Sequence, residues 1–391
     1  MSMKTIRKAL AALIIPALAL LAGCTKLELD EQVHEFPRFT AWTTYGTGTA
    51  TYADLAAAAN AISNDTGAQI RILTSDTAVG RLGPLRKQQA LMARTGDEYI
   101  FSFEGDFDFA HQDWGPQNLR MVWAPTAPHS LMTKEGLGID TPMDLKGKRV
   151  PKVSANPSVN NKIEAFLAYG GLTWDDVRPV DIAYSEQPKA LQAGKIDVLF
   201  LQAYGSSLFE LASAVPTKWI ELDPNDTERV KAATEVAPTI EVKAFEKGAG
   251  QKPGQSDYAF VYPVPIVAYA DVSDSLAYHT SKAFEDEYSA YKDATATTKD
   301  WNLDSVVTSP VVVPFHDGTV QYFKEQGVWT DDAQRQQDKL IAYGEKLREQ
   351  WPEFLAQANT GADLKKQWLE WKEQHSLSSA DEFAKTVGSQ P

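Results

Sequence analysis

Residues 39–62 read FTAWTTYGTGTATYADLAAAANAI and decide the fold class. The first four residues are strand-like, the glycine- and threonine-rich stretch after them is typical of a loop, and the alanine-rich stretch from Asp54 favours a helix. A strand that leads through a short loop into a helix is the repeating unit of α/β proteins.

The same alternation continues along the chain. Strand-like stretches occupy residues 69–74, 98–103, 119–123, 148–153, 177–182 and 196–201, and helical stretches occupy residues 85–92, 159–169 and 186–193. This order predicts α/β layers with largely parallel sheets. Residues 258–270 are apolar and contain prolines, which predicts a crossing segment rather than a central strand.

The last part of the chain has a different composition. From about residue 330 helix-forming residues dominate, and the stretches 331–350 and 362–374 are predicted to be helices. Trp351, Trp368 and Trp371 lie in this part, and we expect them to pack the helical extension against the body.

Composition excludes several classes of function. The chain has 391 residues, of which 43% are hydrophobic and 23% charged, which is typical of a globular protein. Its formal net charge of -14 disfavours nucleic acid as a partner. The histidines do not form an HExxH or other zinc-binding pattern, and no GxSxG motif is present. We therefore predict no metal site, no cofactor and no enzymatic activity.

The N-terminus has the features of a secretory signal. The basic start MSMKTIRK precedes an apolar run over residues 9–21, which is too short to span a bilayer, and the run ends in LAGC (21–24). This order resembles a bacterial lipobox, so we predict a signal peptide over residues 1–23, lipidation at Cys24 and a polar tether over 24–35. The protein is then expected on the periplasmic side of the cell envelope, anchored to a membrane by lipid. The alternative is an ordinary secretory signal with an incidental cysteine.

The loop TTYGTGTATY (43–52) indicates an anion-binding site. Glycines permit close backbone approach, and the following helix offers free N–H groups and a partial positive charge at its N-terminus. A dinucleotide fingerprint matches at Gly46 and Gly48, but its third glycine position is Thr51. No Gly-Lys-Ser/Thr follows, which excludes a P-loop, and a purely structural turn is the other alternative.

Further motifs carry a family resemblance. They are LGIDTPMDLKGKRV (137–150), GLTWDDV (171–177), LQAGKIDV (191–198), KPGQ (252–255), VYPVP (261–265) and HDGTVQYFKEQGVW (316–329). In order and spacing they resemble the TAXI family, the extracytoplasmic receptors of TRAP transporters. The resemblance covers about residues 36–329.

The resemblance implies an α/β, two-lobed periplasmic-binding-protein fold (type II-like) with two hinge crossings and a C-terminal helical extension. Lobe I would comprise residues 36–124 plus 266–330, lobe II residues 125–265, and the extension residues 331–391. The implied function is a solute receptor that delivers a small organic anion, or an amino or keto acid, to TRAP membrane permease subunits. The alternatives are a receptor for an ABC importer or a sensor kinase, and an enzyme of the pyrimidine-precursor synthase type.

Ligands of α/β proteins bind at the carboxyl ends of strands, and this rule selects the candidate binding residues. We expect Arg81 to pair with a solute carboxylate, and Glu104 to pair with a solute amine or with Arg81. The candidates in lobe I are Thr44, Tyr45, Thr47, Thr49, Ser75, Asp76, Arg81, Phe103 and Glu104. The candidates in lobe II are Asn156, Ser158, Asn160, Tyr184, Gln187, Gln202 and Tyr204.

Overall fold

The computed structural model describes residues 36–359 and 363–377. The predicted signal peptide (1–23), Cys24 and the tether (24–35) lie outside the described residues, and so does the end of the predicted C-terminal extension.

The described chain contains twelve strands and twelve α-helices. The strands are β1 (Phe39–Thr44), β2 (Gln69–Thr74), β3 (Met92–Arg94), β4 (Leu119–Trp123), β5 (Thr126–Lys134), β6 (Arg149–Val153), β7 (Arg178–Ile182), β8 (Val198–Gln202), β9 (Thr217–Trp219), β10 (Glu241–Glu246), β11 (Ser256–Pro263) and β12 (Ile266–Tyr269). The helices are α1 (Ala50–Thr66), α2 (Ala78–Arg86), α3 (Glu98–Glu104), α4 (Pro157–Tyr169), α5 (Gln187–Gln192), α6 (Ser206–Ala214), α7 (Thr227–Val236), α8 (Asp274–Asp286), α9 (Tyr288–Tyr291), α10 (Asp317–Glu325), α11 (Asp331–Gln357) and α12 (Leu364–Gln374).

Lobe I is built on a mixed five-stranded sheet. Its strand order is β2-β1-β3-β12-β4, in which β1 runs parallel to β2 and β3 while β12 runs antiparallel to β3 and β4. The loop after β1 leads into α1, where the Thr49 hydroxyl accepts a hydrogen bond from the Tyr52 N–H at 3.2 Å. The core contains Trp123, whose ring stacks on Phe284 with 5.7 Å between centroids.

Lobe II has its own sheet and its own hydrophobic core. The strand order is β10-β11-β5-β8, with β9 also pairing with β5, and all of these pairs are antiparallel. Only β6 and β7 form a parallel pair in this lobe. The prediction of largely parallel sheets is therefore wrong for lobe II. Strands and helices do alternate over residues 149–202, but the order of elements along the chain does not determine which strands pair.

Two short passages connect the lobes. Residues 124–125 join β4 to β5, and residues 264–265 join β11 to β12. The Val264 N–H donates to the Pro125 carbonyl at 2.9 Å, so the two passages lie side by side. The expectation that residues 258–270 avoid central strands is wrong, because β11 lies between β10 and β5, and β12 lies between β3 and β4. Pro263 is the last residue of β11 and Pro265 lies in the passage, so neither proline lies in the interior of a strand. The predicted two-lobed α/β fold is confirmed.

Helices α11 and α12 pack on lobe I. Trp351 and Trp368 are buried, as predicted, and their rings meet edge to face with 4.9 Å between centroids. Gly115 of lobe I leaves room for the Trp351 indole, because a Cβ at that position would lie 2.4 Å from its nitrogen. Trp371 is only partly buried and stacks on His375. None of the described helices is long and apolar enough to cross a bilayer.

Candidate functional site

The carboxyl ends of β1, β2 and β3 face lobe II, and buried polar contacts between the lobes concentrate there. We call this region the lobe contact. The sequence-predicted residues that the structure places in or next to it are Tyr45, Ser75, Asp76, Arg81, Asn156, Ser158, Tyr184 and Gln202.

Two tyrosines and an arginine form the aromatic part of the lobe contact. Tyr45 follows β1 and packs on Tyr184 of lobe II, with 5.0 Å between ring centroids. The Arg81 guanidinium carbon lies 3.7 Å from the Tyr45 ring centroid, which is cation–π geometry. Burial raises the pKa of Tyr45, so its hydroxyl remains neutral and donates to the Glu98 carboxylate at 3.1 Å.

Arg81 is fully buried, and its carboxylate partner is Glu98. The Arg81 Nε donates to the Glu98 Oε1 at 2.6 Å, and Nη1 donates to the Ser75 carbonyl at 2.7 Å. Nη2 has no hydrogen-bond partner among the described residues. The expected pairing of Arg81 with Glu104 is wrong, because Glu104 lies at the opposite end of α3 from Glu98.

An ion pair joins the two lobes. Lys162 extends from α4 of lobe II and contacts the Asp97 carboxylate, just before α3 of lobe I. The Asp97 N–H donates to the Ser158 hydroxyl at 2.7 Å. Burial lowers the pKa of Lys162 to about 7, whereas the contact with Asp97 favours the charged ammonium, so we assign an ion pair near neutral pH. The Lys162 ammonium also lies 4.6 Å from the Tyr262 ring centroid.

A second group of buried polar contacts joins α1 and β3 of lobe I to β8 of lobe II. The Thr51 hydroxyl donates to Gln202 of lobe II at 2.9 Å, and the Gln202 amide donates to Asp54 at 3.3 Å. Asp54 in turn accepts a hydrogen bond from Arg94 at 2.9 Å, and both of these side chains are fully buried. This network connects the strand ends of lobe I to β8 of lobe II.

The rim of the lobe contact is more exposed. The Asp76 carboxylate accepts from the Ser185 hydroxyl at 2.6 Å and from the Ser185 N–H at 3.1 Å. The Asn156 amide donates to the Asp76 carbonyl at 3.0 Å. The Gly48 carbonyl of the glycine loop accepts from the Ser207 N–H at 3.2 Å.

Several predicted site residues have local structural roles instead. Thr49 caps α1, and Thr44 donates to the Arg94 carbonyl. The Asn160 amide bonds both backbone groups of Val153, and Gln187 bonds the backbone of Phe200 in the same way. The Tyr204 hydroxyl donates to the Glu246 carbonyl, and Thr47 is exposed.

Phe103 and Glu104 lie away from the lobe contact. They were expected after a strand, but residues 98–104 form the helix α3, whose far end meets the C-terminal helices. The Glu104 carboxylate accepts from Lys372 of α12 at 3.1 Å, and its carbonyl accepts from the Trp368 indole at 2.9 Å. Phe103 packs near Tyr343 of α11, with 6.3 Å between ring centroids. Their placement in the cleft is therefore wrong.

Sequence reasoning missed several residues of the lobe contact, namely Asp97, Glu98, Lys162, Ser185, Thr51, Asp54 and Arg94. Glu98 was assigned to a strand, although Gly105 with φ +73° ends a helix there and is a helix C-cap signal. Lys162 shares a buried face of α4 with Ser158 and Phe166, at the four-residue spacing of one helix side. A lysine in such a stripe is a signal of a buried ion pair.

The described residues outside the lobe contact offer no better candidate for a ligand site. A surface groove of about 840 Å³ opens at the amino ends of β1 and β2, at the opposite end of the sheet from lobe II. Within the described residues no group of His, Cys, Asp and Glu side chains could hold a metal ion. Burial lowers the pKa of His129 to about 3, so this histidine is neutral where it stacks on Tyr262.

The chain is similar to several solved structures at low identity. The alkanesulfonate-binding protein from Xanthomonas axonopodis pv. citri bound to MOPS is 13% identical, with 76% of this chain and 96% of that chain covered at a TM-score of 0.42. The periplasmic aliphatic sulphonate binding protein from Escherichia coli is 13% identical, with 76% and 91% covered at 0.41. The ligand-binding component of an ABC-type import system from Staphylococcus aureus with zinc bound is 10% identical, with 75% and 93% covered at 0.44. Scores below 0.5 do not identify a ligand.

Family membership follows from the sequence itself. No curated protein sequence matches the chain. The NMT1-like family matches residues 43–327, which include lobe II, most of lobe I, both passages between the lobes and every residue of the lobe contact. This match covers well over half of the sequence, and the chain therefore belongs to the NMT1-like family.

Proposed function

We propose that the protein is an extracytoplasmic solute-binding receptor that closes its two lobes around a small polar organic solute. The observation that carries this proposal is the burial of polar and charged contacts between lobes that only two short passages connect. Asp97 of lobe I pairs with Lys162 of lobe II, and Tyr45 of lobe I packs on Tyr184 of lobe II. Hinged lobes can separate and expose these groups to a solute, then enclose it away from water.

The proposed solute carries at least one carboxylate. Arg81 and Lys162 are buried cations at the lobe contact, and the Arg81 Nη2 has a donor to spare. Guanidinium and ammonium groups form strong charge-assisted hydrogen bonds with carboxylates. The polar groups of Ser75, Asp76, Asn156 and Ser158 lie beside these cations and supply orientation.

The proposed partner is a membrane importer. The motif resemblance favours a TRAP permease, whereas the family match is to the NMT1-like family and names no TRAP component. An ABC importer is therefore the first partner to test and a TRAP permease the second. We place the domain boundaries at the two passages, with residues 36–124 and 266–330 in lobe I, 125–265 in lobe II and 331–391 as an extension whose helices α11 and α12 pack on lobe I.

The proposed location is the outer side of a membrane, with the chain held there by acyl groups on Cys24. This rests on the charge, apolar run and small residues that precede Cys24 in the sequence. Metabolic labelling with a palmitate analogue tests it: the native chain should incorporate label and Cys24→Ser should not.

Native mass spectrometry of the purified protein, followed by disulfide trapping, tests the receptor function. Cysteines replace Asp76 and Ser185, whose side chains meet across the rim, in a chain that carries Cys24→Ser. The solute detected by mass spectrometry should speed formation of the disulfide, because it favours the closed lobes.

The two single-cysteine variants control for intermolecular linkage, and neither should form an internal disulfide. A protein that carries no solute, and whose trapping rate no tested metabolite changes, would contradict the receptor function.

A further inference from the structure

Among the buried polar atoms of the lobe contact that have no hydrogen-bond partner in the described residues, which also include the Arg94 Nη2, two have opposite hydrogen-bonding needs. The Arg81 Nη2 is a donor and the Asp97 Oδ1 is an acceptor, and neither has a partner among the described residues. The exposed fractions of Arg81 and Asp97 are 0% and 3%. Because buried polar atoms are nearly always hydrogen-bonded in native proteins, this pair indicates a ligand that brings one acceptor and one donor.

The same place carries an ion pair that must break when the lobes separate. Lys162 belongs to lobe II and Asp97 to lobe I, so opening leaves a bare ammonium on one side of the cleft and a bare carboxylate on the other. A solute that enters between them meets both charges. If it carried charge of only one sign, one of the two groups would be enclosed without its counterion, which is costly in a buried site.

The buried charges at the lobe contact already balance one another. The buried cations at the lobe contact, among the described residues, are Arg81, Arg94 and Lys162, and the buried anions there are Asp54, Asp97 and Glu98. His129, the nearby titratable ring, is neutral because burial lowers its pKa. A solute of zero net charge preserves this balance on closure, whereas an anion or a cation upsets it.

We propose that the solute is a zwitterion that inserts between Asp97 and Lys162, with its ammonium on the Asp97 carboxylate and its anionic group on Lys162 and the Arg81 Nη2. This inference rests on the proposed receptor function and narrows it to one charge class. The solute ammonium takes the place of Lys162 beside Asp97, and the anionic group takes the place of Asp97 beside Lys162. The solute therefore closes the cleft by restoring two charge-assisted contacts where one was broken.

The experiment compares analogues that share a side chain and differ in charge. The Cys24→Ser chain is unfolded, washed and refolded to remove bound solute, and its melting temperature is measured with α-amino acids, their N-acetyl derivatives, their methyl esters and dicarboxylates without an amine. Amino acids should raise the melting temperature. For the best amino acid, the N-acetyl derivative and the methyl ester should bind about tenfold or more weakly, because each leaves one buried charge unpaired.

Two variants separate a charge effect from general damage. Asp97→Asn removes the negative charge at the proposed ammonium site, so the ratio of affinities should shift about tenfold toward the N-acetyl derivative. Lys189→Met, on the exposed surface of lobe II, is the matched control and should keep the native order of affinities.

The outcomes are distinct for the two proposals. Tight binding of a dicarboxylate or N-acetyl compound with no binding of amino acids would overturn the zwitterion and leave the receptor intact. If no compound of any charge class shifts the melting temperature, the receptor function fails together with the ligand class.

Discussion

The two ends of α3 carry two buried charge clusters that differ in what holds them. At the N-terminal end, Asp97 and Glu98 meet cations from α4 and α2, and the Asp97 contact crosses between the lobes. At the C-terminal end, Glu104 and Asp106 both contact Lys372 of α12, where the C-terminal extension packs on lobe I. In the proposed receptor, the first cluster lies where the lobes would separate and admit water, and we call it the hinge cluster. The second lies where no separation is proposed, and we call it the static cluster. Burial of charge alone therefore does not reveal function, and the position relative to the hinge does.

The largest expected effect comes from the static cluster. Lys372→Met leaves two carboxylates buried without a cation, and we expect the free energy of unfolding to fall by about 3–5 kcal/mol. Urea unfolding monitored by circular dichroism measures it. Lys366→Met removes a lysine whose side chain is 78% exposed on the same helix and should change stability little. Equal losses in the two variants would contradict the role of Lys372 as the buried counterion of Glu104 and Asp106.

The next largest effect is a pH dependence of the free energy of unfolding that arises from Asp106 in the static cluster. Burial, with Glu104 adding to it and Lys372 opposing it, raises the pKa of Asp106 from 3.8 to about 7. Between these values the folded chain holds a proton that the unfolded chain releases, so this group lowers the free energy of unfolding as the pH rises toward 7. Asp106→Asn should lack that slope, and the difference between native and variant stability across pH 4–8 isolates it. Parallel curves would contradict the assignment.

A substitution in the hinge cluster should change the overall dimensions of the protein more than its free energy of unfolding. Lys162→Met removes the cation that pairs with Asp97, but opening of the lobes brings Asp97 into water, which limits the penalty. We expect a smaller loss of stability than for Lys372→Met, together with a larger radius of gyration by small-angle X-ray scattering. Lys189→Met, a solvated lysine of lobe II, is the control and should leave the scattering curve unchanged.

The smallest effect is expected at the rim. Ser185→Ala removes one hydroxyl donor to Asp76, while the backbone N–H of residue 185 still donates to the same carboxylate. The free-energy difference between the open and closed forms should change by about 1 kcal/mol or less, and the melting temperature should not change. Scattering at several temperatures detects the shift. Ser213→Ala, which removes a hydroxyl bonded within α6, should show none.

The sequence allows prediction of the elements better than of their pairing. Strand, loop and helix over residues 39–62 follow local preferences, so β1 and α1 are close to their predicted positions. Strand direction in lobe II depends on contacts between distant segments, such as β5 with β8, which periodicity does not report. Arg81 was identified as a candidate because the strand-end rule selects its loop and a guanidinium can pair bidentately with a carboxylate. Its partner Glu98 was missed because EYIFSF combines residues that favour strands with a helix that only Gly105 reveals.

The attachment of α12 to α3 has a consequence for the evolution of the chain. Lys372 lies near the end of the described residues. Its ammonium contacts Glu104, the last residue of the short helix that presents Glu98 to Arg81, and Asp106 just beyond that helix. A relative that ends before this lysine would have to enclose two acids with no cation beside them. We therefore expect positions 104, 106 and 372 to change together, with neutral residues at the first two wherever the terminal helix is missing.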